Sequence, residues 1–68
     1  MNVMKVVELV ADSPDGWKDA IEHAVLKASE TIRNINAVEV TNLSASVHDG
    51  RVIGYKADLQ LSFLIEDH

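Results

Sequence analysis

Apolar and polar residues alternate most cleanly near the end of the chain, where Tyr55, Ala57, Leu59, Leu61, Phe63 and Ile65 interleave with Lys56, Asp58, Gln60, Ser62 and Leu64. A period of two is the signature of a strand with one covered face, because successive side chains point to opposite sides. Residues 37–47 alternate as well and place Ala37, Glu39, Thr41, Leu43, Ala45 and Val47 on one face. Between these two strands stands Asp49-Gly50, a favoured centre for a tight hairpin, since Gly accepts positive φ without steric cost and Asp tolerates it. Residues 3–11, rich in Val and broken by Lys5 and Glu8, predict a first strand.

The pattern changes to helical spacing from Trp17, with Ile21, Ala24, Val25, Ala28, Ile32 and Ile35 on one stripe and Lys18, Asp19, Glu22, Lys27, Glu30 and Arg33 mostly opposite. Ser13 is suited to accept a hydrogen bond from a free N–H at the helix start, and Pro14 suits the first helical position because it has no N–H there to leave unpaired. Asp15 adds favourable charge at that end of the helix dipole. Asn34 and Asn36 mark the expected end, giving a helix of about twenty residues within the usual length range.

The predicted order is strand, helix, strand, strand: an α+β fold with a three-stranded antiparallel sheet covered by one helix. The helix shields the face carrying Tyr55, Leu59, Leu61, Phe63 and Ile65. On the other face, Val38, Val40 and Leu64 are expected among Ser, Asn, Gln and Lys, a mixture suited to a subunit contact or a cavity lining. Burying three such aliphatic side chains at about 1.5 to 3 kcal/mol each rivals the whole stability of a small domain.

Length sharpens that expectation. The 68 residues are read as one domain, and a chain of this size buries only about 60% of its unfolded surface, so it needs a staple. The absence of cysteine removes disulfides and thiolate zinc sites, and His23, His48 and His68 show no paired ligand spacing. Self-association remains. The net charge of -5 and scattered Lys and Arg argue against a nucleic-acid partner. No apolar run reaches membrane-span length, and the N-terminal Met1-Asn2-Val3-Met4-Lys5 has no export-signal pattern, so a cytoplasmic location is expected.

Catalytic chemistry has little support. No Ser stands in a nucleophile elbow, and Gly16, Gly50 and Gly54 form no phosphate-binding loop. Asp12, Asp15 and Asp19 lack a calcium-loop pattern and are assigned to the helix N-terminus and solvent. His23 and His48 are read as solvated, Trp17 as a packing anchor, and Glu66-Asp67-His68 as a frayed polar tail.

Taken in order, the opening strand, Ser13-Pro14-Asp15-Gly16-Trp17, the helix ending in Glu30-Thr31-Ile32-Arg33-Asn34-Ile35, Val38-Glu39-Val40, His48-Asp49-Gly50 and Phe63-Leu64-Ile65-Glu66-Asp67 resemble the dodecin family of small flavin-associated proteins. The resemblance spans essentially the entire chain. It implies a β-α-β-β subunit in a hollow homododecamer of cubic 23 symmetry, with sheets curling around helices. It also implies a flavin site between subunits, in which paired tryptophans sandwich stacked isoalloxazines, a glutamine holds the flavin edge and a basic residue holds the phosphate. The matching positions here are Ala37, Lys56 and Ser44, and all three depart from the family pattern.

Aromatic stacking is worth about 0.5 to 1.5 kcal/mol per pair beyond area burial, and each 1.4 kcal/mol is about tenfold in affinity. Ala37 alone is therefore expected to weaken flavin binding by more than about an order of magnitude. The leading expectation is a non-catalytic shell that binds, stores or buffers a small ligand, with flavin stacking lost. Alternatives are an authentic riboflavin or FMN store in which Tyr55 or another ring supplies the stack, and a calcium- or magnesium-binding shell. The latter resembles the tryptophan-lacking subclass associated with calcium. A small enzyme is the last alternative, with no nucleophile and base to name for it.

Overall fold

The computed structural model describes residues 2–65. Its elements are β1 (Met4–Ser13), α1 (Trp17–Ser29), β2 (Ile35–His48) and β3 (Arg51–Leu64). This is the expected α+β, β-α-β-β arrangement. β3 lies in the centre of the sheet, antiparallel to β1 on one side and to β2 on the other. That is where its regular alternation belongs: Ala57, Leu59 and Leu61 are at most 1% exposed, while the intervening polar residues face away from the helix. The tail Glu66, Asp67 and His68 lies outside the described residues.

The β2–β3 hairpin closes at Asp49 and Gly50, whose φ values of 50° and 75° are those of the primed turn that matches strand twist. The helix start differs from the expected one. Ser13 pairs with Tyr55 as the last residue of β1 and is 5% exposed. Its Oγ accepts a hydrogen bond from the Asp15 N–H at 3.0 Å and donates to Asp19 Oδ2 at 2.6 Å. Pro14 therefore lies in the crossing segment, and Gly16 caps the helix at φ 148° and ψ 169°, a backbone region that essentially only Gly occupies.

The helix is also shorter than expected, 13 residues against about twenty. After Ser29 the chain tightens, with the Glu30 N–H bonded to the Lys27 carbonyl and the Thr31 N–H to the Ala28 carbonyl. Asn34 then turns the chain at φ 64°. Ile32 and Ile35 consequently leave the helical stripe, and Ile35 opens β2 opposite Phe63.

A second correction concerns the faces of β2. Val38 pairs with Leu61 and Val40 with Leu59, which puts both on the helix side and not on the opposite face with Leu64. Irregularities between Ile35 and Ala37 and between Val40 and Asn42 shift the phase of the strand. Ala37 and Glu39 thus face outward, whereas Leu43, opposite Ala57, is on the helix side. The unbroken alternation from Ala37 to Val47 does not hold. Ile65, expected on the covered face, follows the end of β3 and is 43% exposed.

Ala11, Ala20, Ala57 and Leu59 form the core cluster, with Leu9, Ile21, Ala24 and Val38 packed against it. Small residues at the contact let the helix approach the sheet closely. Trp17 anchors the helix start: its ring meets Tyr55 edge-on with centroids 4.9 Å apart, and its Nε1–H donates to the Ser44 carbonyl at 2.9 Å. Leu59→Ala should lower stability by about 2–5 kcal/mol in denaturant unfolding. Trp17→Phe, which keeps a ring against Tyr55 but loses the hydrogen bond, should cost about 0.5–1.5 kcal/mol. An unchanged midpoint in either variant would contradict the packing described.

Candidate functional site

The face of the sheet turned away from the helix is built in rows by the strand register. Asp12, Lys56 and Ser44 form one row, followed by Val10, Asp58 and Asn42, then Glu8, Gln60 and Glu39, then Val6, Ser62 and Ala37. Beyond them Met4 pairs with Leu64. Leu64 is therefore where the sequence places it, on the outward face.

All three candidate ligand positions lie on this face, but at two different places. Ser44 and Lys56 are direct cross-strand partners. Ala37 is opposite Ser62, six positions along β3 from Lys56, so the two ends of the site are about 20 Å apart at roughly 3.3 Å per residue. Within one chain these positions cannot all touch a single ring system. Ala37 is exposed and lies in a shallow depression with Val6, Val38, Glu39, Gln60 and Ser62. Ser62 fixes the depression's edge by donating to Asn36 Oδ1 at 2.9 Å, and Asn36 Nδ2 in turn donates to Met4 Sδ at 3.1 Å.

Gln60 is the residue that alternation alone did not single out. It supplies an amide beside Ala37, and its parity with Lys56 along β3 was the available signal. Which β2 residues it meets depends on the bulges.

The chain's three aromatic residues are one Trp, one Tyr and one Phe. Tyr55 and Phe63 share the parity of Leu59 and Leu61 along β3, on the helix side, and Trp17 packs on Tyr55. The outward face therefore carries no aromatic ring. Its charges are Glu8, Asp12, Glu39 and Asp58 against Lys56, so it is predominantly acidic. An anionic phosphate would meet carboxylates there, with Ser44 offering a hydroxyl and no charge. The residues present on one chain do not fit a stacked flavin.

Other reactive groups converge once. Ser13 Oγ and His23 Nδ1 both approach Asp19 Oδ2, at 2.6 and 3.3 Å. With the carboxylate in the middle, the serine hydroxyl donates to Asp19 and has no base to activate it, unlike a nucleophile paired with histidine. His48 is exposed, 3.3 Å from Asp49 at the hairpin turn. Among the described residues, no three His, Cys, Asp or Glu side chains gather as a metal site. Asp12, on the outward face, is separated from Asp19, and a cation held by one chain through these residues does not fit. No helix of the described residues is long and apolar enough to cross a membrane.

Comparison with known proteins gives a consistent picture. The family model described as Dodecin matches residues 3–66. Calcium dodecin of Mycobacterium tuberculosis is 30% identical over 63 residues, covering 93% of this chain and 89% of that protein. Dodecin of Thermus thermophilus is 32% identical over 65 residues, covering 96% and 94%. The solved structure of dodecin from Streptomyces coelicolor superposes with a TM-score of 0.91 at 36% identity, covering 98% of this chain and 96% of that one. Because Ala37 is exposed, Ala37→Trp should fold with a stability within about 0.5 kcal/mol of the parent. A thermal midpoint lowered by more than about 8 °C would show that the depression cannot take a ring.

Proposed function

The chain belongs to the dodecin family, and from that premise we propose that it is the single-domain subunit of a non-catalytic, cytoplasmic homododecameric shell. The shell binds, stores or buffers a small ligand, and it has lost the stacked mode of flavin binding. The observation that carries this reading is the ring-free outward face: Ala37 is exposed at the position where the family resemblance implies a tryptophan, and Tyr55, the ring that could have replaced it, is engaged with Trp17 on the opposite side of the sheet.

Two further features support it. Lys56 and Ser44 share a row about 20 Å from Ala37, so no single ring system on one chain uses both places. The surplus of carboxylates on that face disfavours the phosphate of FMN more than the neutral riboflavin.

A calcium-binding shell is the second reading, favoured by the similarity to a protein named calcium dodecin and by Glu8 and Glu39 flanking Gln60. These two carboxylates sit on strands about 10 Å apart, two strand spacings, so a cation would draw further oxygen ligands from a neighbouring copy.

Titration of riboflavin and FMN with the purified protein should give no stoichiometric fluorescence quenching at submicromolar concentration, and Ala37→Trp should tighten flavin binding by at least about tenfold. Tight quenching by the unaltered chain would refute the proposal. Calorimetry with calcium and magnesium decides the second reading: heat that saturates for calcium and is lost in Glu8→Gln/Glu39→Gln supports it, and featureless titrations exclude it. Native mass spectrometry should show twelve copies.

A further inference from the structure

The β2–β3 hairpin outruns its support. Ser13, the last residue of β1, pairs with Tyr55, and Trp17 reaches the sheet at Tyr55 and Ser44. Beyond that level residues 46–54 form a two-stranded ribbon that pairs only with itself, and a register shift between Ser46 and Val47 interrupts its ladder. A ribbon of two strands is marginally stable in water, so its end opens at low cost. At that end stands His48-Asp49-Gly50-Arg51, with all four residues exposed.

An Asp-Gly step lets a backbone nitrogen attack the preceding side chain, because glycine has no Cβ to hinder the approach and leaves the backbone free to turn. The chain contains two such steps, Asp15-Gly16 and Asp49-Gly50, and the fold treats them differently. The Asp15 N–H is bonded to Ser13 Oγ at 3.0 Å, and the Gly16 carbonyl accepts the Ala20 N–H at 3.1 Å, so the first step is clamped between β1 and α1. At the second, the Gly50 N–H makes no hydrogen bond among the described residues. The Asp49 side chain is 88% exposed, and His48 Nε2 lies 3.3 Å from its Oδ2.

We infer that Asp49-Gly50 is a site of spontaneous backbone modification, at which Asp49 passes through a cyclic imide to isoaspartate with His48 delivering a proton. The Gly50 nitrogen attacks Asp49 Cγ. A Cγ–N bond forms and the Cγ–Oδ2 bond breaks; the oxygen leaves as water, carrying the proton lost by the Gly50 nitrogen and one passed from His48 Nε2. Water then opens the imide. Addition at Cγ restores aspartate, whereas addition at the Asp49 main-chain carbonyl breaks that C–N bond, leaves the chain running through Cγ and returns a proton to solvent. No redox partner is consumed, and the final mass is unchanged.

Closing the ring turns the Asp49 Cα–C bond out of the primed turn, which the unsupported ribbon permits and the clamped Asp15 step resists. The product has an extra backbone methylene and a free main-chain carboxylate, so it no longer fits a two-residue loop. That carboxylate is the group methylated by isoaspartate-directed methyltransferases, which makes the turn a substrate for this class of enzyme. The site is complete in one copy and does not depend on the shell proposed above.

Ageing the purified full chain at neutral pH tests this, with isoaspartate located by peptide separation and fragmentation and counted by enzymatic methyl transfer from S-adenosylmethionine. Isoaspartate should accumulate at Asp49 at least about tenfold faster than at Asp15. His48→Gln should slow the reaction by at least about threefold while circular dichroism stays unchanged. A chain that accepts no methyl groups after ageing, or whose Asp15 rearranges as fast as Asp49, would overturn the site. An unchanged rate in His48→Gln would overturn the role given to His48.

Discussion

One geometric constraint governs this molecule: a short helix can seal only part of one face of a sheet made of long strands. The buried set is correspondingly small, with Leu59 and Leu61 as its largest fully buried side chains and Ala11, Ala20 and Ala57 filling the close approach of helix and sheet. Such a core is thin for a chain of 68 residues, since small chains bury a lower fraction of their surface. Much of the remaining aliphatic surface, from Val6 and Val10 on β1 to Val47 and Ile53 at the hairpin, stays exposed on a single copy. Within one copy those residues have little to pack against, so the proposed assembly would add to stability by covering them.

The bulges of β2 have consequences beyond local geometry. By shifting phase between Ile35 and Asn42 they turn Val38 and Val40 toward the helix and leave Ala37 and Glu39 on the outward face. The outward face therefore loses aliphatic character and becomes acidic, with Glu8, Gln60 and Glu39 side by side. Strand β3, flanked on both sides, carries its core residues and its outward polar residues without interruption. The site and the core are thus two sides of the same strand.

Membership of the dodecin family is compatible with a changed ligand chemistry because the fold and the ligand face depend on different residues. The fold rests on the alternation of β3, the Gly16 cap, the Asp49-Gly50 turn and the Trp17 anchor. The three positions that the family resemblance singles out for ligand contact, Ala37, Ser44 and Lys56, all lie on the outward face, apart from the buried core. Trp17 connects the two sides, since its indole holds the Ser44 carbonyl while its ring packs on Tyr55.

The sequence by itself determined the element order, the hairpin turn and the covered residues of β3, because period-two alternation and positive-φ turn chemistry are local properties. Trp17 was legible as an anchor for the same reason, from its place at the head of the apolar stripe. The helix start was not: Ser13 and Pro14 satisfy a cap pattern, yet pairing of Ser13 with Tyr55 across the sheet holds that residue in β1. Nor were the faces of Val38 and Val40, the early end of the helix or the separation of Ala37 from Lys56. Each of these depends on which residue of a distant strand lies opposite, and a single extra residue in a strand reverses every side chain beyond it, so only the tertiary register could decide them.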